Sequence, residues 1–344
     1  MASRSIRFPL TRRQALTMSG AAVSGASFGV PRQARAEAIT FKLGHVDNPS
    51  TPAGVALEAF AAEAKRLSNG EMEVQVFHAG QLGTIPEEVK NVLSGAQDMH
   101  MFSPEIVTNL LDESKVISAP YVFTSNLHLQ KFLMSQLYKP ALDKLRTLGA
   151  IVLDPGWTWL QNDPRGLIST RPIRTPDDLK GLKLRIWESK TAIETWRGLG
   201  AEPIVISRPE MYLAFKQNII QAGPETIGIS VDQKNVEVAK FWTRTDEFYQ
   251  VNNVLMNERR FNALNDQQRQ ILYQASLVGG KTYGSESLRG FTEKRARAEK
   301  EFGVTVIEPD LAPWRARGLE VTAKMEADGT VPKVLADAAM KLSV

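Results

Sequence analysis

The stretch Pro172-Ile173-Arg174-Thr175-Pro176-Asp177-Asp178-Leu179-Lys180-Gly181-Leu182-Lys183-Leu184-Arg185 decides the fold reading. Thr175 is a candidate helix N-cap and Pro176 suits the first helical position. Asp177 and Asp178 favour the positive helix end, and Gly181 stops the turn. Residues 182–186 then alternate apolar and basic side chains, as a strand with one buried face does. Arg185 stands at that strand's C-terminal end, where open α/β sheets place ligand contacts. Its planar, permanently charged guanidinium matches a carboxylate, although a strand-end arginine in solvent fits the same pattern.

Outward from this segment, the chain alternates strand and helix patterns. Towards the N-terminus they are strand 39–44, helix 52–67, strand 72–76, helix 86–93, strand 99–102, a helix over roughly 126–146 and strand 150–153. Towards the C-terminus come helix 190–198, strand 203–206, helix 209–217, strand 219–222 and an extended run over 248–256. The order predicts an α/β fold with helices around largely parallel sheets. From Asp266 to Phe302 the pattern is almost continuously helical, interrupted by Gly279, Gly280, Gly284 and Gly290. That length exceeds one domain, so a helix kinked at its glycines and running along both domains is expected. Strand 304–307 and two helices complete the chain.

The first 36 residues read as an export signal. Arg12-Arg13 precedes a small, weakly apolar run ending in Ala34-Arg35-Ala36, a pattern of the twin-arginine type, with a general secretory signal as the alternative. This segment holds six of the 42 basic residues and no acid, leaving 36 against 38 acidic ones, a formal charge of −2. The remainder therefore has no global charge case for nucleic acid or an anionic membrane. No later stretch approaches the ~20 apolar residues that span a bilayer. The absence of cysteine excludes disulfides, thiolate metal sites and a cysteine nucleophile.

Catalytic signatures are missing. His45, His78, His100 and His128 have no helical ligand spacing, and each reads as structural or surface histidine. Residues 275–282 (A-S-L-V-G-G-K-T) imitate a phosphate loop but lie inside the long helical pattern, whereas a true loop follows a strand and opens a helix. No cofactor and no metal is expected.

Several motifs, in order, resemble one family. They are Gly80-Gln81-Leu82-Gly83, Gly95-Ala96-Gln97-Asp98, Ala119-Pro120-Tyr121-Val122-Phe123, the 176–185 segment, Leu199-Gly200-Ala201 and Glu210-Met211-Tyr212-Leu213-Ala214. Together they resemble the solute-binding proteins of tripartite ATP-independent periplasmic (TRAP) transporters, dicarboxylate type, over nearly the whole chain after residue 36. The resemblance implies a two-domain periplasmic-binding-protein-like clamshell with a long kinked helix spanning both domains. It divides as 37–162 with 251–288, and 163–250 with 289–344. It further implies a periplasmic binding protein, not an enzyme, that captures a small organic acid (a sugar acid or dicarboxylate) and hands it to membrane permease subunits. Arg185 takes the place of the family's carboxylate-binding arginine, Arg165 of an assisting one and Asn218 of an asparagine, while Phe102 and Ser103 should line the other jaw.

Three departures bear on the ligand. Residues 219–225 (I-I-Q-A-G-P-E) replace a V-D-G-x-E run, losing its acid and adding a residue. Arg208 stands at a usually apolar position, either as a charge in solvent or as a partner for a second acidic group. Trp187-Glu188 replaces small residues, with Trp187 in the core or covering a sugar or aromatic face. An exported enzyme using Glu188 and Glu225, or a sensor subunit presenting its ligand, remain the alternatives.

Overall fold

The computed structural model describes residues 38–342. The export-signal reading of 1–36 lies outside the described residues. Within them the fold is an α/β clamshell of two lobes, each built on a mixed six-stranded sheet. The strands are β1 (Ile39–Gly44), β2 (Met72–Phe77), β3 (Met99–Phe102), β4 (Ala150–Val152), β5 (Trp159–Leu160) and β6 (Gly166–Ser169). The chain continues with β7 (Lys183–Ile186), β8 (Glu202–Val205), β9 (Ala222–Pro224), β10 (Phe241–Arg244), β11 (Val251–Asn257) and β12 (Thr305–Ile307).

The first sheet has the order β2-β1-β3-β11-β4, with β5 also pairing β11; the second runs β12-β10-β6-β9-β7-β8. Neither sheet is largely parallel, as the sequence pattern suggested. The long β11 runs antiparallel to β3, β4 and β5, and β6 runs antiparallel to β9 and β10. The pairs that carry the cleft are parallel: β1 with β2 and β3, and β7 with β8 and β9. Their C-terminal ends therefore open on loops that can face a ligand.

The deciding segment folds as read. Thr175 and Asp178 form a capping box over the 3₁₀ turn Pro176–Leu179, Gly181 adopts φ +66°, and β7 follows. Leu179, Leu182, Leu184 and Ile186 are fully buried, so the turn and strand are anchored by their apolar face. In the first lobe, Thr51 caps helix Pro52–Leu67 through the Gly54 amide, and Leu57, Phe60 and Ala64 pack it onto the sheet and the long helix.

Two expected helices differ in detail. The span 126–146 divides into Asn126–Met134 and Lys139–Thr147. Ser135 is extended at the break, donating to Phe132 O and accepting from Leu137 N, and Pro140 starts the second helix. The long helix runs from Asp266 to Arg289, passes through a π turn over Gly290–Lys294 and continues to Phe302. Its irregularity is the π turn, while Gly279, Gly280 and Gly284 lie in regular helix. A Cβ on Gly279 would fall 2.4 Å from the buried ring of Trp159. These glycines let the β5 segment approach the helix backbone, which places the chain as it leaves for the second lobe.

Candidate functional site

Between the lobes lies a cavity whose empty space, counted to its mouth, is about 850 Å³. Residues following β1 and β3 form one wall, and residues at the ends of β7 and β8 form the other.

Arg185 comes from β7 and is 1% exposed. Its Nε donates to Ile206 O at 2.8 Å, which turns the guanidinium along the sheet edge. Its Nη1 is buried and without a hydrogen-bond partner. Burial, and then the like charge of Arg208, bring it down to about 9, so it stays charged at neutral pH. Among the described residues no carboxylate oxygen lies within 4.0 Å of it.

Arg165 is also buried, and burial lowers its pKa. Its guanidinium stands 4.4 Å from the ring centre of Phe248 and 5.7 Å from that of Trp187, with Nε 3.4 Å from Glu247 Oε1. Arg208 enters the cavity rather than solvent: its side chain is 13% exposed, Nε is 3.1 Å from Asp47 Oδ1, and Nη1 is 3.9 Å from Glu225 Oε2. Trp187 lines the same wall, packs edge-on against Phe248 and leaves its Nε1–H unpartnered. Four side chains with guanidinium or indole donors, Arg185, Arg165, Arg208 and Trp187, thus line one space.

Ser103 lines the opposite wall and donates to Glu105, whose carboxyl is pushed up by burial. Two expected residues are elsewhere. Phe102 packs in the core against Trp157, at 6.2 Å between ring centres, and does not line the cavity. Asn218 ends helix Met211–Lys216 in the left-handed region at φ +56°, exposed to solvent, a turn position that asparagine tolerates well.

Sequence reasoning passed over the histidines. His45 follows β1 and His100 lies in β3, and both are buried cavity-lining residues. The strand-end rule that picked out Arg185 would have found His45, whereas His100 stands second in β3 and reaches the cavity through its pairing with Gly44. A Cβ on Gly44 would fall 2.1 Å from Glu88 Oε2, so only glycine leaves room for the carboxylate that holds His100. Asp163 lines the cavity near the crossing between lobes, and burial pushes it up to about 7. Among the described residues no cluster of three or more His, Asp or Glu side chains is arranged to hold a metal.

Residues 43–328 match the profile of the bacterial extracellular solute-binding protein family 7. The chain belongs to that family. It is 29% identical over 315 residues to the C4-dicarboxylate-binding periplasmic protein DctP of Rhodobacter capsulatus, covering 91% of this chain and 92% of the relative. A TRAP periplasmic solute-binding protein from Bordetella bronchispeptica, with density assigned as pantoate, superposes with a TM-score of 0.80 at 25% identity, covering 89% of this chain and 100% of that one. The sugar acid binding protein DctPAm of Advenella mimigardefordensis, in complex with galactonate, has a TM-score of 0.80 at 24% identity, with 89% and 99% covered. As a family 7 member the chain is a transport-type solute-binding protein of the TRAP class. No described helix is long and apolar enough to cross a membrane.

Proposed function

We propose that this protein is the periplasmic binding subunit of a TRAP transporter, which closes on a carboxylate-bearing small molecule and delivers it to membrane permease subunits. Arg185 carries the reading: a buried guanidinium without an acid partner, its Nη1 unsatisfied, at the wall of the interlobe cavity. An unpaired buried charge is costly, and a carboxylate bound bidentately in a dry site offsets that cost. Arg165, Trp187, Arg208 and Ser103 complete the walls. Support from relatives is consistent, since DctP is named for C4-dicarboxylates and the Bordetella protein's density is assigned as a carboxylic acid.

The two sheets suggest a division into 37–162 with 251–288 and 163–250 with 289–344, closing around the cavity. Binding without turnover is the expected behaviour. A thermal-shift screen of sugar acids, hydroxy acids and C4-dicarboxylates tests the reading, because selective binding to the folded state raises the melting temperature. Stabilisation by at least one acid is expected; chemical conversion of that acid by the purified protein would replace the transport reading with an enzymatic one.

A further inference from the structure

Resting on that carboxylate reading, we infer that the ligand is captured together with a proton, and that Asp163, where the chain crosses between the lobes, is the group that holds it.

Geometry singles out this carboxyl. Asp163 lies between β5 of the first sheet and β6 of the second, and it is 8% exposed. It borders both the interlobe cavity and a second pocket that Asn126 and Tyr249 also line. Its Oδ1 is buried without a hydrogen-bond partner. Among the described residues no Lys, Arg or His nitrogen lies within 4.0 Å of its carboxylate.

The neighbouring groups that could balance its charge are engaged elsewhere. Arg165, two residues on, is directed to Glu247 and the Phe248 ring, and Arg244 to Asp246. Tyr283 of the long helix donates to Gln161 Oε1 at 3.0 Å. Thr226 and Gln161 favour the charged form of Asp163, but loss of water outweighs them, and burial pushes the carboxyl up to about 7. A buried carboxyl without a counterion is neutralised by taking up a proton.

The other titratable groups near the cavity are better satisfied. Asp47 has Arg208 at 3.1 Å. Burial also raises Glu105, Glu225 and Glu247, yet each has donors on its oxygens. These are Ser103 for Glu105, Ser230 and Asn235 for Glu225, and Thr245 with Arg165 for Glu247. His100 is held on Glu88, and burial keeps His45 neutral, down at about 4.

A ligand carboxylate on Arg185 adds a negative charge to this cavity and expels its water. Both changes disfavour a second, uncompensated anion, so the complex holds the Asp163 proton more tightly than the ligand-free protein does. Linkage is reciprocal, so the ligand binds more tightly where that proton is present. Affinity is therefore level below about pH 7 and falls as pH rises above it. The protonated carboxyl also offers a ligand oxygen an O–H donor.

Calorimetric titration of the purified protein with galactonate, glucuronate, pantoate and succinate tests this. The tightest binder is then run at pH 8.0 in Hepes and in Tris, whose ionisation enthalpies differ. Uptake of about 0.4 proton or more per ligand is expected, as for a carboxyl whose proton is held about 10-fold tighter in the complex. Binding should be about 5-fold or more weaker at pH 8.5 than at pH 6.5. Asp163→Asn, neutral at every pH, should lose both the uptake and the pH dependence. An enthalpy that is the same in both buffers overturns the inference but leaves Arg185 as the carboxylate site, and so does uptake that persists in Asp163→Asn. No binding by any of the four acids overturns both. Should the variant fail to fold or to bind, the ¹³C carboxyl shift of Asp163 in the unsubstituted protein decides. Its titration must move to higher pH when the acid is bound, and a midpoint that is unchanged or lowered overturns the inference.

Discussion

Arg208 of the second lobe reaches Asp47, in the loop after β1 of the first, with 3.1 Å between Nε and Oδ1. The pair bridges the cleft, and both side chains are largely buried (13% and 17% exposed). As an ion pair between the lobes it is a candidate latch for a closed cleft. Asn48 supports it from the same loop, donating to Gln233 Oε1 at 3.0 Å. Removing one partner leaves a buried charge, whereas removing both relieves it. Arg208→Met and Asp47→Leu should each weaken ligand binding, and the double variant should recover part of the loss. A coupling of about 1–2 kcal/mol is expected from the cycle of dissociation constants. Strict additivity would show that the latch does not contribute to closure.

Gly279 makes a separate prediction about the long helix. Its Cα faces the fully buried Trp159, whose indole donates to Ser276 Oγ at 3.1 Å and cannot easily yield. Gly279→Ala should destabilise the protein by about 1–3 kcal/mol despite alanine's better helix propensity. A thermal melt reads the change, and a stabilised variant would mean that the contact with Trp159 is loose.

Asp163 sets a pH dependence. Burial raises its pKa from 3.8 to about 7 in the folded state. A raised carboxyl binds more protons folded than unfolded, so its contribution to stability is fully present below about 4 and is lost as pH rises through 7. Asp163→Asn should therefore match the parent near pH 4 and become progressively more stable than it up to pH 7. The upper bound is about 4 kcal/mol from the size of the shift. Urea unfolding at several pH values checks this; a difference that is constant with pH would mean the carboxyl is not perturbed.

The strand-end logic worked where a capped turn and a glycine stop lead into the strand, as they do into the four-residue β7. It placed Arg185 at the cavity, and the family's order pointed to Arg165 and Ser103, while Trp187 and Arg208, read as departures with their direction open, turn out to line it as well. It stopped short for two reasons. β5, β6 and β10 were not read as strands and make part of the antiparallel pairing, while the pairs of β11 with β3 and β4 depend on strand direction, which residue alternation does not encode. Side-chain direction was also invisible: Phe102 turns to the core, and Asn218 occupies a left-handed turn in solvent. His45 and His100 escaped because histidines were judged by helical ligand spacing, whereas these two meet through the β1–β3 pairing.

Arg185 bears the central claim. Its guanidinium is fixed by Ile206 O, lacks an acid partner and faces the cavity. The decisive measurement is calorimetric titration of the best-stabilising acid into the parent protein, Arg185→Lys and Arg185→Ala, with melting curves confirming that each is folded. Loss of about 100-fold or more in affinity is expected for Arg185→Ala, and a partial loss for Arg185→Lys, which keeps the charge without the planar fork. A folded Arg185→Ala that binds the acid with the parent's affinity would contradict the assignment of this residue as the carboxylate anchor.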